Sequence, residues 1–489
     1  MQNYKMWIGG QWVGAESGET FTCINPATEE EFASIPLGGK ADVDKAVAAA
    51  RQAFPVWSRK TQAERSRIVN QIAVLLREQA KEFEKIDTLE HGTPCRFTPW
   101  FTFMSANFFE YAAQVSRGMS GDVIPSRPDI LTYLQREPIG VCALIIPWNA
   151  PLMMVAMKLG AALAVGNTCI VKPPSIDSLT VLKLGGILEK LELPPGTVNI
   201  ITGPGGLVGD ALSNHPRVDK ISFTGSCETG KSIMSCASGS VKRVSLELGG
   251  KSPFIVFEDA DVDGAVDGAI LAAFSNTGMV CASPGRYYVH ESIHEEFVKK
   301  FLAAAKNLVV GNPQDPRTQM GPVVSAEHRN KVERYIRIGT EEGATLLLGG
   351  KRPTEPPLNK GYFVMPTVFT NVTQNMTIAR DEIFGPVACI MKFSSNDDVL
   401  ALANDNLFGL TASVWTRDTA KAIQYANELH AGFVWINEHL VIGEDLAWGG
   451  YRESGFGKEG SIHGIYEFTH LKTIYVDLAK GCKKPWHTW

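Results

Sequence analysis

Between Gly140 and Glu247 the chain alternates short apolar runs with helical segments, and that alternation leaves few folds open. Val141-Cys142-Ala143-Leu144-Ile145-Ile146 is apolar throughout, as a parallel strand covered on both faces should be. Further strands are predicted at 168–172, 198–201, 220–223 and 243–247, with helices at 153–165, 178–190, 207–214 and 229–238 between them. Parallel neighbours need crossover connections, so the segment predicts a doubly wound sheet with its ligands beyond the carboxyl ends of the strands.

The pattern restarts after Gly249-Gly250. Helices are predicted at 263–274, 295–307 and 326–342, the last with Ser325 as N-cap, and strands at 287–289, 387–393 and 412–416. A chain of 489 residues is too long for one core, so a second α/β domain is expected. Upstream, residues 5–35 alternate like short strands. Helices are predicted at 42–57, 62–85 and 98–116, and the last carries core aromatics such as Phe108 and Phe109. The tail alternates again through Thr473-Ile474-Tyr475-Val476-Asp477-Leu478, a terminal strand whose edge invites another subunit.

Net charge is −5 with both signs dispersed, which supplies no electrostatic footprint for nucleic acid or an anionic membrane. The nine cysteines are odd in number and lack CxxC pairs, so reduced thiols and a cytoplasmic location are expected. The N-terminus lacks the basic and apolar regions of a signal peptide. The most apolar window, 150–171, is broken by Pro151, Lys158, Gly160 and Gly166, and reads as a buried helix and strand. No cluster of metal-ligating residues is visible, and no metal is expected.

Chemistry gathers at strand and helix ends. Cys281 follows the helix at 263–274 in Asn276-Thr277-Gly278-Met279-Val280-Cys281, a loop of small residues that presents a thiol. A free cysteine ordinarily packs as a small hydrophobe, so the loop needs partners before it reads as a nucleophile. Asn149 lies just beyond the first strand and could donate to an oxyanion; Asn also suits a turn or cap there. Glu247 ends the fifth strand before two glycines, placed for general-base work. Phe223-Thr224-Gly225-Ser226 opens a helix whose N-terminus suits a pyrophosphate, although its G-x4-G spacing departs from the usual dinucleotide fingerprint. Lys172 ends the second strand within reach of a ribose or phosphate.

Taken in order, Pro147-Trp148-Asn149, Lys172-Pro173-Pro174, Phe223-Thr224-Gly225-Ser226, Glu247-Leu248-Gly249-Gly250-Lys251, Asn276-x-Gly278-x-x-Cys281, Glu382-Ile383-Phe384-Gly385-Pro386 and Gly449-Gly450-Tyr451-Arg452-Glu453-Ser454-Gly455 resemble the aldehyde dehydrogenase superfamily, of the hydrolytic, NAD(P)-dependent type, over nearly the whole chain. The resemblance implies a doubly wound cofactor domain (1–118 and 139–249), an α/β catalytic domain (250–445) and a small β oligomerisation arm (119–138 and 466–489) in a homodimer or homotetramer. It implies a catalytic set of Cys281 as nucleophile, Glu247 as base, Asn149 as oxyanion donor with the Cys281 N–H, and Lys172. The cofactor, NAD or NADP, would lie against Ile146, Pro147, Trp148, Lys172, Ser175, Gly205, Phe223, Thr224, Gly225, Ser226, Gly230, Leu248, Glu382 and Phe384. The thiolate would attack an aldehyde, and the thioester left after oxidation would be hydrolysed by water that Glu247 deprotonates. A polar helix-terminus environment is expected to help ionise the thiol.

Three positions depart from the family pattern. Met279 replaces a common glutamine and Arg452 a lysine, neither with a chemical role. Ser175 stands where strictly NAD-preferring members carry a glutamate, so acceptance of NADP is expected. The implied substrate pocket is Phe103, Asn107, Met153, Met154, Met157, Ser275, Val280, Ile442 and Trp448, mostly apolar and without arginine. That favours an uncharged aromatic or aliphatic aldehyde. The acidic stretch 437–445 keeps an amino- or betaine-aldehyde substrate open. A CoA-acylating enzyme would not need Glu247, and a non-catalytic relative would not need every catalytic position filled.

Overall fold

The five apolar runs form the centre of an eight-stranded sheet in a computed structural model that describes residues 2–478. Across the sheet run Arg243–Glu247, Lys220–Thr224, Val141–Ile145, Thr168–Lys172 and Val198–Ile200, all parallel. The chain starts in the middle and winds outward in both directions, which creates the crevice between Val141–Ile145 and Lys220–Thr224. Side-chain alternation explains the unbroken apolarity. Cys142 and Leu144 pack on one face with the helix Pro151–Ala164, while Val141, Ala143 and Ile145 pack on the other with Lys40–Trp57. Met6–Ile8 and Gln11–Val13 extend one edge antiparallel, and Gly455–Phe456 extends the other.

A second, seven-stranded sheet orders Thr345–Leu348, Thr367–Thr370, Val387–Phe393, Pro284–His290, Ser252–Val256, Thr411–Trp415 and Phe433–Ile436. Only Thr345–Leu348 is antiparallel. Phe254 and Tyr287 pack under the helices Val262–Phe274 and Glu291–Lys306, and Ile255 and Tyr288 under Ala326–Glu341. Cys281 and Lys251 each lie just before a strand of this sheet, so its amino-terminal edge confronts the carboxyl edge of the first. Val123–Ile124, Ile130–Pro138 and Thr469–Asp477 form a separate antiparallel sheet.

Several elements differ from expectation. The helix predicted at 62–85 is two, Gln62–Glu78 and Ala80–Glu90, broken at Gln79. The break lets Glu90 turn inward, where its carboxylate accepts from the Ser178 and Leu179 N–H groups and caps the helix Leu179–Leu188. The segment 207–214 opens as a wide turn, Gly205–Gly209, before the helix Asp210–Asn214. Strands at 252–256, 345–348, 367–370 and 433–436 escape pattern reading because four or five residues carry too little periodicity. Ser325 caps its helix as expected, accepting from the His328 N–H.

The eight cysteines among the described residues are all free, and no described helix is long and apolar enough to cross a membrane. Residues 479–489, with Cys482 and the end of the predicted arm, lie outside the described residues.

Candidate active site

The loop carrying Cys281 is held in a conformation its sequence resists. Asn276 and Thr277 have φ of 49° and 56°, left-handed values that cost on the order of 1–3 kcal/mol at a non-glycine residue. Contacts hold them there: Asn276 Nδ2 donates to the Asn149 carbonyl at 2.8 Å and Thr277 Oγ1 to the Gly321 carbonyl at 3.2 Å. Gly278 (φ +71°) lies so close to Gly385 that a Cβ would sit 2.3 Å from its carbonyl oxygen. Asn149 closes the arrangement, its Nδ2 donating to the Met279 carbonyl at 3.1 Å. One amide N–H is used there; the other is free to serve an oxyanion.

Cys281 is half-buried, and burial, followed by the carboxyl groups of Glu382 and Glu247, pushes its thiol up to about 12. The N–H groups of Ala282 and Cys281 oppose the shift. This corrects the expected pKa-lowering environment. Burial and the two nearby acidic groups favour the thiol over the thiolate.

Glu247 is 3% exposed and neither carboxylate oxygen has a hydrogen-bond partner among the described residues. Burial first, then Glu459, raises its pKa well above the usual carboxylate range, with Lys158 and Lys458 opposing. Lys158 donates to Ser222 Oγ at 3.0 Å and is ion-paired to Glu459. In the sequence Lys158 signals only an interruption of an apolar helix; a lone lysine in such a helix is itself the clue to a buried acidic partner. Glu467 accepts from Ser245 Oγ at 2.9 Å and faces Lys220 at 3.5 Å.

The cofactor set lines the carboxyl edge of the first sheet. Lys172 is buried, not solvated. Its Nζ donates to the Pro173 carbonyl at 3.0 Å, and burial lowers its pKa to about 8. Ser175 Oγ donates to the Gly203 carbonyl at 3.0 Å, and a Cβ on Gly205 would meet open space. Ser226 caps the helix Cys227–Ser238, accepting from the Thr229 N–H, and leaves that helix's first turn facing the crevice. Ile146, Phe223 and Leu248 turn their side chains into the core, so only their backbone can line the crevice; Gly230 is compact because Leu248 fills the space of a Cβ. Glu382 accepts from the Gly250 N–H at 3.1 Å, and its carboxyl lies where a Cβ on Gly249 would be. Trp148 meets Phe384 and His328 edge to face at 5.2 and 5.0 Å, and His328 Nε2 donates to the Phe384 carbonyl at 2.6 Å.

Met153, Met154, Met157 and Ile442 share one apolar cluster. Trp448 packs apart from them on Phe433 and Trp435. Ser275 and Val280 are half-buried on the cysteine loop. Asn107 accepts from Arg77 at 2.9 Å, and Phe103, also in the implied pocket, is 55% exposed. The sequence showed no metal-ligand cluster, but Asp87, His91 and Asp177 converge with ligand atoms within 4.8 Å of one another. Burial raises Asp87 and Glu90 to about 7, which favours protons on this group. His439 and Lys251, both buried at the amino edge of the second sheet, had no role assigned to them from the sequence.

The sequence profile of the Aldehyde dehydrogenase family matches residues 12–474. The chain is 43% identical over 473 residues to the betaine aldehyde dehydrogenase of Bacillus subtilis (strain 168), covering 96% of each protein. It is 44% identical to aldehyde dehydrogenase 1A1 of Mesocricetus auratus, covering 98% of this chain and 96% of that one. Among solved structures, betaine aldehyde dehydrogenase from Staphylococcus aureus in complex with NAD+ superposes with a TM-score of 0.96 at 38% identity, covering 98% of this chain and 96% of that one.

Proposed function

The chain belongs to the aldehyde dehydrogenase family and is an enzyme that oxidises aldehydes, and from that premise we propose that Cys281 is its nucleophile and Glu247 its general base. The observation that carries this reading is the buried, unpaired Glu247 carboxyl acting on the Cys281 thiol across the meeting edges of the two sheets.

Cys281, only half-buried, yields its proton to solvent water, and its sulfur bonds the aldehyde carbon. The oxyanion takes the second Asn149 N–H and the Cys281 N–H. A nicotinamide dinucleotide, when bound, supplies the acceptor for two electrons and the carbonyl hydrogen, leaving a thioester on Cys281. Glu247 then takes a proton from water, whose oxygen bonds the acyl carbon as the C–S bond breaks.

The crevice suits such a cofactor. Thr224 Oγ1 is enclosed without a partner among the described residues, the first turn of the helix after Ser226 offers N–H groups, and Lys172, Ser175 and Glu382 supply polar contacts. The S. aureus relative is solved with NAD+. Ser175 brings no carboxylate to repel a 2′-phosphate, so NADP is accepted alongside NAD.

The substrate is an uncharged aromatic or medium-chain aldehyde, supported by the apolar cluster of Met153, Met157 and Ile442. A second reading, an amino- or betaine aldehyde, is favoured by the names of the relatives and by Tyr111, whose hydroxyl is raised by burial and then by Asp445 and Glu444. Comparing kcat/KM for benzaldehyde, hexanal, aminobutyraldehyde and betaine aldehyde, each with NAD and NADP, separates them. The first pair should lead by tenfold or more; a lead for betaine aldehyde overturns the substrate reading, and absence of NADP turnover overturns the cofactor reading.

Residues 1–118 with 139–249 are taken as the cofactor domain, 250–445 as the catalytic domain, and 119–138 with the tail from 466 as an arm that pairs subunits into a dimer or tetramer. Exposed Val123, Leu471 and Tyr475 on that arm support the pairing. Free thiols throughout the described residues suit a cytoplasmic enzyme.

A further inference from the structure

The Ala282–Ser283 peptide, one residue beyond the nucleophile, is fastened from a direction the mechanism above does not use. The Ala282 carbonyl, buried at the amino edge of the second sheet, receives two donors: His439 Nε2 at 3.0 Å and Thr411 Oγ1 at 3.3 Å. Thr411 is in turn bonded to Ser252 Oγ at 2.7 Å, and His439 Nδ1 to Ser413 Oγ at 3.2 Å. A carbonyl only accepts, so Nε2 carries the imidazole proton and Nδ1 accepts from the Ser413 hydroxyl. His439 is fully buried between Trp435, at 4.6 Å, and Phe254, at 5.8 Å, and burial holds it neutral. Its ring therefore has one orientation and one tautomer.

The geometry points to His439 as a positioning residue for the nucleophile: by holding the Ala282 carbonyl it fixes the Ala282–Ser283 peptide, and through the Ala282 backbone the direction of the adjoining Cys281 thiol. The inference rests on the reading of Cys281 as nucleophile. Asn149 grips the same loop from the cofactor sheet through Met279, so the loop is clamped between both sheets, with Cys281 between the two grips. His439 also belongs to the segment that carries Ile442 and Trp448. A substrate pressing on that segment therefore acts on the nucleophile through one hydrogen bond. A loss of clamping misplaces a reacting atom by a fraction of an ångström to about 1 Å, enough for roughly a 10- to 100-fold change in rate.

The test compares wild type with His439→Phe, His439→Gln, Thr411→Val and Cys281→Ala. The readouts are kcat and KM with hexanal and NAD, the rate of Cys281 alkylation by iodoacetamide without NAD, and melting temperature. His439→Phe should lower kcat and the alkylation rate by about 10- to 100-fold at unchanged KM for NAD. His439→Gln, whose amide can reach the same carbonyl, should recover most of both, and Thr411→Val should fall between. If the Phe variant does not fold, His439→Asn carries the same expectation, its amide being too short to reach Ala282. Wild-type kcat and alkylation in the Phe or Asn variant, with only the melting temperature lowered, overturns the inference, as does a Gln variant no better than Phe. Activity surviving in Cys281→Ala overturns the nucleophile reading itself, a distinct result.

Discussion

Cys281 and Glu247 are both held protonated at rest by burial, and each by further nearby carboxyl groups. Both act as anions. A group pushed upward loses its proton only at higher pH, so activity is present above the raised pKa values and lost as pH falls through them. Initial rates with saturating hexanal and NAD should therefore climb steadily from pH 6 to pH 10; a profile flat from pH 6 would contradict the burial argument. Glu247→Gln keeps the shape but not the base. It should retain a first-turnover burst of NADH while steady-state kcat falls roughly 10²- to 10⁴-fold, as seen by stopped-flow absorbance. Loss of the burst as well would move Glu247 into the first half of the reaction.

Among elements, the junction of Ala80–Glu90 with Leu179–Leu188 is the costliest. Glu90 caps the second helix, yet Asp87 and Asp177 crowd it without a cation among their described partners. Burial raises Asp87 and Glu90 to about 7. An unfolded carboxyl titrates near ~4. The stability these groups contribute is complete below that unfolded value and is lost as pH rises through about 7. Asp177→Asn removes one of the crowded carboxyls. It should raise the melting temperature at pH 8, by an amount equivalent to roughly 1 kcal/mol, and change little at pH 5. Thermal melts across that range check it, and equal destabilisation at both pH values would refute it.

At the scale of the molecule, two large sheets meet edge to edge, the carboxyl ends of one against the amino ends of the other, and the third sheet, formed by Val123–Ile124, Ile130–Pro138 and Thr469–Asp477, is tied to the first where Arg243 donates to the Thr469 carbonyl at 2.8 Å. That third sheet exposes Tyr475 (65%) and Leu471 (54%) on its outer strand, apolar surface that a lone subunit leaves in water. Leu471→Asp with Tyr475→Asp should shift the protein to a smaller species by light scattering coupled to gel filtration. A mass unchanged from wild type would exclude this strand from the subunit contact.

The doubly wound sheet was legible because strands buried on both faces must be apolar throughout, as Val141–Ile145 and Thr168–Lys172 nearly are, and because helices must carry the crossovers. Motif order likewise pointed to Cys281, Glu247 and Asn149, which the fold brings to the meeting edges of the two sheets. Tertiary structure alone decided the electrostatics and the supports. The upward shift of the Cys281 thiol comes first from burial and then from Glu382 and Glu247, 101 and 34 residues distant in the chain, while the Lys158–Glu459 pair and the His439 grip on Ala282 join residues 301 and 157 apart. Local pattern records what one segment buries. It carries no record of which distant segment it is buried against, and pKa, tautomer and clamp geometry depend on that neighbour.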